Sequence, residues 1–312
     1  MNGYEALREA AAVIDLSSHG RIKATGEDRL RLLHAMTTNH VQDLKPGQGL
    51  YAFFLNAQGR VLADTIILCG DDHLLIDLEP EVREKIYQHL DKFIIMDDVT
   101  LEDRTDATAE VAVEGPGAAA VLKLFGATLP EAPYSFTFWE NRVVVKATST
   151  GQPGFRIILP AEEKSVLLAQ LDLPVATPDE ARVVRLENGV PRYGEDISES
   201  QIAHETGQMH ALHFSKGCYL GQEIVERVRS RGLVHKRLYP LRLPGPAIPE
   251  NGAEIESAGQ RVGRTTSAAW SPALNQVVAL AYLRIDVVEK GLSLKLSDAP
   301  VEVMVSTAQP TQ

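Results

Sequence analysis

One stretch of the sequence concentrates groups capable of chemistry. Residues 214–237 read Phe-Ser-Lys-Gly-Cys-Tyr-Leu-Gly-Gln-Glu-Ile-Val-Glu-Arg-Val-Arg-Ser-Arg-Gly-Leu-Val-His-Lys-Arg. Cys218 sits between Gly217 and Gly221, with Lys216 nearby. Glycine adopts backbone conformations closed to other residues and lets a ligand approach the chain. A helix is expected to begin near Gly221. Cys218 would then lie just before a helix N-terminus and close to a lysine, and both influences favour a thiolate. The competing role is that of a small buried apolar group, and that role is the expectation for Cys69, between Leu68 and Gly70. Arg227, Arg229, Arg231, Lys236 and Arg237 form a basic cluster. It is either a solvated helix face with Glu223–Arg227 as an i,i+4 pair or an anion site, since guanidinium forks suit carboxylate and phosphate. His204, His210 and His213 have spacings that match no metal-ligand motif, and no Cys-x-x-Cys accompanies them, so they are expected as loop or core histidines and no metal is expected.

The elements that must position these groups alternate between helix and strand. Residues 4–13 are expected as a helix, and Arg21–Gly26 as a strand ending in a turn. Asp28 precedes Leu30, Leu32, Leu33 and Met36 at helical spacing. Two apolar runs, Leu50–Leu55 and Val61–Leu68, flank Asn56-Ala57-Gln58-Gly59 and predict a hairpin. A strand over Leu74–Leu78 and a helix from Pro80 to about Leu90 follow, which makes an antiparallel α+β unit. The alternation resumes with strands near 110–113, 142–147 and 155–159 and helices near 116–124, 161–171 and 178–186. Beyond the proline-rich Pro240–Pro249 the chain turns β-like, with strands expected over Val277–Tyr282, Leu292–Leu296 and Val301–Val305. This end is expected as a small β-barrel or sandwich. The division expected is 1–235, two interleaved α+β lobes with the hairpin lobe at about 46–104, and 236–312.

The composition narrows the function classes. The chain has 312 residues, 44% hydrophobic and 23% charged, as in ordinary globular proteins. With 42 acidic and 31 basic residues the formal charge is −11, which repels nucleic acid and anionic membranes at long range. No direct nucleic-acid or membrane partner is expected. Two distant cysteines make no disulfide framework and suit a reducing compartment. Charges interrupt Met1–Leu16, and the longest apolar stretch is far too short to span a bilayer, so a cytoplasmic location is expected.

Several segments together resemble a known family. Lys216-Gly217-Cys218-Tyr219-x-Gly221-Gln222-Glu223, followed by Arg227 and Arg231-Gly232, resembles the signature of YgfZ-type proteins. Thr37-Thr38-Asn39-His40 with Leu44-x-x-Gly47, and Leu55-Asn56-x-x-Gly59-x-Val61-x-x-Asp64, resemble segments of the wider glycine-cleavage T-protein family. So do Arg185-Leu186-Glu187-x-Gly189-x-Pro191-x-Tyr193-Gly194 and, near the C-terminus, Val262-Gly263-x-Thr265, Trp270-Ser271-Pro272 and Ala279-Leu280-Ala281-Tyr282. The matches extend over nearly the whole chain.

The resemblance implies a three-lobed cloverleaf of mostly antiparallel sheets with helices, ending in a β-barrel, and tetrahydrofolate or a one-carbon derivative held in a central channel. It implies Glu187 against the pterin, whose adjacent N–H and NH₂ a carboxylate accepts together. Asn56, Tyr193, Lys216 and Arg227 are the further candidate folate-binding residues; Arg227 belongs to the basic cluster that suits a folate carboxylate. Cys218 and Asp64 are the candidate catalytic residues. T-proteins carry two adjacent aspartates after the hairpin glycine, one of which assists aminomethyl transfer; here the pair is Ala63-Asp64. That substitution and the cysteine motif point to a folate-binding accessory factor that supports maturation or repair of iron–sulfur enzymes, including tRNA-modifying ones, with those enzymes as partners. The alternatives are a folate-dependent aminomethyltransferase or demethylase and a non-catalytic folate-binding adaptor.

Overall fold

The computed structural model describes residues 1–304 other than Leu233, so Val305, expected to end the last strand, lies outside the described residues. The chain opens with α1 (Gly3–Glu9), capped by Asn2, whose side chain accepts from the Glu5 N–H while Glu5 reaches back to the Asn2 N–H. Helix was expected as far as residue 13, but Ala12–Asp15 is a strand, β1. It pairs with two other strands, and that pairing overrides the helical propensity of Ala12. Next come β2 (Gly20–Thr25), α2 (Arg29–Met36), β3 (Gly49–Leu55), β4 (Val61–Cys69), β5 (His73–Leu78), α3 (Arg83–Phe93) and β6 (Thr100–Asp103). Strand β7 (Thr108–Glu114) leads to α4 (Ala118–Leu124), β8 (Phe136–Trp139), β9 (Arg142–Val145), β10 (Gly154–Pro160), α5 (Lys164–Leu171), β11 (Val175–Ala176) and α6 (Pro178–Glu187). A long irregular stretch with 3₁₀ turns at Ala203–Thr206 and Met209–Ala211 precedes α7 (Gln222–Arg231). The remainder is β12 (Lys236–Leu243), β13 (Glu254–Ser257), β14 (Gln260–Ser271), β15 (Gln276–Arg284), α8 (Ile285–Glu289), β16 (Leu294–Leu296) and β17 (Ala299–Val303).

These elements form three lobes of an α+β fold. The first is a sheet in the order β3-β4-β5-β2-β6, the second a sheet in the order β11-β1-β7-β10-β9-β8, and the third a closed barrel β12-β15-β14-β13-β16-β17. Pairing is antiparallel except between β1 and β11. The first two lobes interleave in sequence, because β1 belongs to the second sheet and β2 to the first. No helix of the described residues is long and apolar enough to cross a membrane.

Apolar seams hold the lobes together. Ile66 and Leu68 of β4 pack against Phe136, Val145 and Ile158 of the second lobe. Leu186 of α6 packs against Leu238, Val278, Leu280 and Tyr282 of the barrel. Each such side chain contributes roughly 1.5–3 kcal/mol when fully buried. Helix α6 has a sharp start: Thr177 and Glu180 form a capping box and Pro178 occupies its first turn.

The β3–β4 hairpin sets which side chains reach the space between the lobes. Asn56 Oδ1 accepts from the backbone N–H groups of Gln58 and Arg60, at 2.9 and 3.0 Å, and Gly59 adopts φ +70° to close the turn. Beyond the turn Leu55 pairs with Val61 and Phe54 with Ala63, which leaves Leu62 as a bulge. From there Phe53 faces Asp64 and Tyr51 faces Ile66. Tyr51, Asp64 and Ile66 therefore share one face of the sheet, and Ala63 points to the other.

Candidate functional site: a cavity between the lobes

A cavity of about 1040 Å³ opens where the first two lobes meet α6 and the irregular stretch. Tyr51, Asp64 and Ile66 form one wall, His19 and Glu79 lie beside them, and Tyr134 and Arg156 come from the second lobe. Arg182 and Arg185 of α6, with Arg192, Glu195, Gln208 and His210, complete it. The Tyr51 hydroxyl donates to Asp64 Oδ2 at 2.7 Å. Burial, reinforced by the charge of Glu79 and only partly offset by the Tyr51 hydrogen bond, pushes the Asp64 carboxyl up to about 6. It changes protonation state near neutrality, as a general acid or base must.

Charge is dense around Asp64 and almost fully compensated. Arg156 Nη1 donates to Asp77 Oδ2 at 2.6 Å and to Glu110 Oε1 at 3.3 Å, and Arg21 Nη1 lies 3.5 Å from Glu110 Oε2. His19 Nδ1 is 3.1 Å from Asp77 Oδ1. Arg192 pairs with Glu79 at 2.7 Å, while Arg182 and Arg185 both pair with Glu195 at 2.5 Å. His19, Asp77 and Glu110 bring their ligand atoms within 4.8 Å of one another, the spacing a metal would need. Two guanidiniums already neutralise the two carboxylates, however. Burial lowers the His19 affinity for protons, but the charge and hydrogen bond of Asp77 together with the charges of Glu110 and Glu79 outweigh it and hold the ring near 9. A protonated imidazole has no lone pair to give a metal. The cluster is an ion network that joins the first lobe (His19, Arg21, Asp77) to the second (Glu110, Arg156).

The residues singled out from sequence fall in several places. Asp64 is in the cavity. Glu187 is not among the residues lining it. Its carboxylate accepts from the Tyr4 hydroxyl at 2.6 Å and the Ser271 hydroxyl at 2.5 Å, and Arg8 pairs with it. The reason is helical phase: Pro178, Ala181, Arg182 and Arg185 face the cavity, and a residue two beyond Arg185 points about 200° away. Asn56 is occupied in the hairpin turn. Tyr193 is buried, its hydroxyl 3.4 Å from the Val61 carbonyl. Arg227 is on the outer face of α7, paired with Glu223 at 2.6 Å.

Lys216 and Cys218 lie in the turn before α7. The Lys216 ammonium is buried and donates to the carbonyls of His34, Thr37 and Asn39 at 2.5, 2.6 and 2.8 Å. It is spent on the Thr37-Thr38-Asn39 backbone instead of standing free beside the thiol. Cys218 is exposed, and α7 starts only at Gln222, with Gly221 at φ +85° before it. The gap of one turn leaves the thiol outside the first turn of the helix, where the dipole acts most strongly. A side chain at position 221 would meet the Asn56 carbonyl oxygen at 2.7 Å, so the motif glycine permits α7 to dock on the hairpin. Cys69 is buried, as expected. Sequence reasoning missed His210 and Tyr134 as cavity residues. Neither belongs to a periodic segment, and His210 was expected only as a loop or core histidine.

The whole chain was compared with known proteins. Residues 2–216 match the GCVT N-terminal domain and residues 236–310 the glycine cleavage T-protein C-terminal barrel domain. An aminomethyltransferase of Rubrobacter xylanophilus is 30% identical over 312 residues, which covers 97% of this chain and 83% of the relative. One from Thermoanaerobacter sp. is 28% identical over 320 residues, covering 97% and 86%. The crystal structure of glycine cleavage system aminomethyltransferase T from Bartonella henselae superposes with a TM-score of 0.88 at 20% identity, over 98% of this chain and 88% of that one. With the cloverleaf of lobes, the closed barrel and the Asp64-bearing hairpin in place, the chain belongs to the glycine-cleavage T-protein family.

Proposed function

We propose that the cavity binds a reduced folate and that the protein carries out folate-dependent one-carbon transfer of the aminomethyltransferase type. The observation that carries this reading is Asp64, a carboxyl on the cavity face of β4 whose proton affinity is raised to about 6. The folate would supply the nitrogens that accept or release the one-carbon unit. Asp64 would hold or take the proton of the amine that reacts, and Tyr51 orients it through the 2.7 Å hydrogen bond. The paired arginines of α6 stand where an anionic end of the ligand could exchange with Glu195.

The alanine at position 63 weighs less against transfer than its sequence position suggests. Ala63 is fully buried in the core of the first lobe, on the face of β4 opposite Asp64. A carboxylate there would not reach the cavity without turning the strand over. Calorimetric titration with tetrahydrofolate, paired with single-turnover formation of methylene-tetrahydrofolate from an aminomethyl donor, tests the proposal. Asp64→Asn is expected to keep binding within a few-fold and lose about 10²-fold or more in transfer. No binding of tetrahydrofolate by the unaltered protein would sink the reading.

One observation favours a second reading. The Cys218 thiol is exposed, at a site separate from the cavity lining, within the segment that resembles the YgfZ signature. This suits a folate-binding accessory factor whose thiol meets iron–sulfur enzymes at the surface. Restoration of those enzymes in a deletion strain by Cys218→Ala would exclude the cysteine, and restoration by Asp64→Asn would exclude transfer at the cavity.

A further inference from the structure

Beside Asp64 the cavity wall carries three nearly parallel rings brought by three separate stretches of chain. Tyr51 comes from β3, Tyr134 from the loop before β8, and His210 from the 3₁₀ turn at Met209–Ala211. The Tyr51 and His210 centroids are 5.0 Å apart with planes at 25°, those of Tyr134 and His210 6.3 Å at 7°, and those of Tyr51 and Tyr134 6.1 Å at 19°. The Tyr134 hydroxyl lies 3.2 Å from His210 Nε2. All three residues line the cavity.

The chain holds this arrangement at a cost. Tyr134 has φ 60°, a conformation that bulky residues avoid. Strain of this kind persists where the surroundings impose it, and it collects at binding sites. The imposing contacts are visible: the Tyr134 N–H donates to the Lys146 carbonyl at 2.9 Å, and the Lys146 N–H donates to the Ser135 carbonyl at 2.9 Å. Asn39 fixes the other two rings together, because its Nδ2 donates to the Tyr51 carbonyl at 2.8 Å and to the His210 carbonyl at 3.0 Å. Burial lowers the proton affinity of His210 and keeps its ring neutral.

We infer that the Tyr134–His210 pair, alongside Tyr51, seats a planar, amine-bearing ring of the ligand, and that His210 determines specificity for it. The inference rests on the reading of the cavity as a reduced-folate site. Tyr134 and His210, nearly coplanar and joined at their edges by the hydrogen bond, present a flat aromatic face on which another ring can stack with offset. A folate offers two such planes, the pterin and the p-aminobenzoyl ring, and both adjoin the nitrogens that Asp64 would serve.

The test is calorimetric titration of the unaltered protein, His210→Phe and His210→Ala with tetrahydrofolate, 6-methyltetrahydropterin and p-aminobenzoylglutamate. Loss of the ring in His210→Ala should weaken tetrahydrofolate about tenfold, the upper range for one aromatic contact, while His210→Phe stays within about threefold. The fragment that shows the same loss is the ring seated there. Should His210→Ala melt early, Tyr134→Phe and Tyr134→Leu make the same comparison from the other side of the pair. Tetrahydrofolate affinity unchanged in His210→Ala, or equally weak in His210→Phe, overturns the inference and leaves the folate reading standing. Failure of the unaltered protein to bind any of the three probes overturns the folate reading itself.

Discussion

Asp64 and Lys216 are both ionisable groups withdrawn from water, and the protein treats them in opposite ways. Burial raises the proton affinity of Asp64, and full charges then tune it: the Glu79 carboxylate pushes it further up and His19, held by the Asp77 network, draws it back. Among the described residues, Lys216 has no carboxylate as a hydrogen-bond partner. It faces three backbone carbonyls and the Tyr219 ring, 4.7 Å from its Nζ. Burial drives the lysine down to about 7, while the carbonyls favour the ammonium that donates to them. A group balanced by charges can be retuned by a ligand that brings charge. A group locked on backbone dipoles serves the backbone. The first arrangement suits chemistry and the second suits architecture.

The largest effect should come from the architectural group. Lys216→Met leaves three inward-facing carbonyls without their donor and should cost about 3 kcal/mol, read by denaturant unfolding. A loss under 1 kcal/mol would mean that the lysine is not what holds the Thr37–Asn39 segment. Next is Asp64→Asn, which should stabilise the protein by about 2 kcal/mol at pH 7.5. The folded carboxyl binds its proton more tightly than the unfolded one. The stability it contributes is therefore complete below about pH 4 and lost as pH rises through about 6. The gain in the variant should fade correspondingly on acidification, and a destabilised Asp64→Asn at pH 7.5 would place Asp64 with the structural groups. The smallest effect belongs to Cys218→Ser, within about 0.5 kcal/mol of the parent because the side chain is exposed. An alkylating reagent should label Cys218 in the native protein and reach Cys69 only after unfolding.

Much of the fold was legible because it depends on period and punctuation. The hairpin around Asn56-Ala57-Gln58-Gly59 and the helix opened by Pro178 formed where apolar alternation and turn residues indicated. The start of β1 was not legible, since Ala12 and Val13 so close to a helix become strand only because partners flank them. At the site, Asp64 was named through the family resemblance alone; the bulge at Leu62 interrupts the two-residue alternation before it, so only the pairing register fixes its face. Glu187 shows the limit. A motif identifies the residue, whereas its azimuth on α6 decides what it meets, and here it meets Tyr4, Arg8 and Ser271. That Tyr134 and His210 line the cavity was not legible, because each owes its place to a strained or irregular backbone with no sequence period.

The bulge at Leu62 has a consequence for how this protein can change over evolutionary time. The hairpin tip answers to α7, since Gly59 lies against Ile224 closely enough that an added Cβ would come within 2.8 Å of it. Asp64 answers to the cavity through its pairing register. Because one spare residue lies between the two, they are separate hinges of variation. A residue can be lost at position 62 and the ladder made regular without turning Asp64 inward, whereas an insertion between Ala63 and Asp64 exchanges the two faces outright. The surface that carries the cysteine segment can thus drift with the tip while the chemistry of the cavity stays in phase.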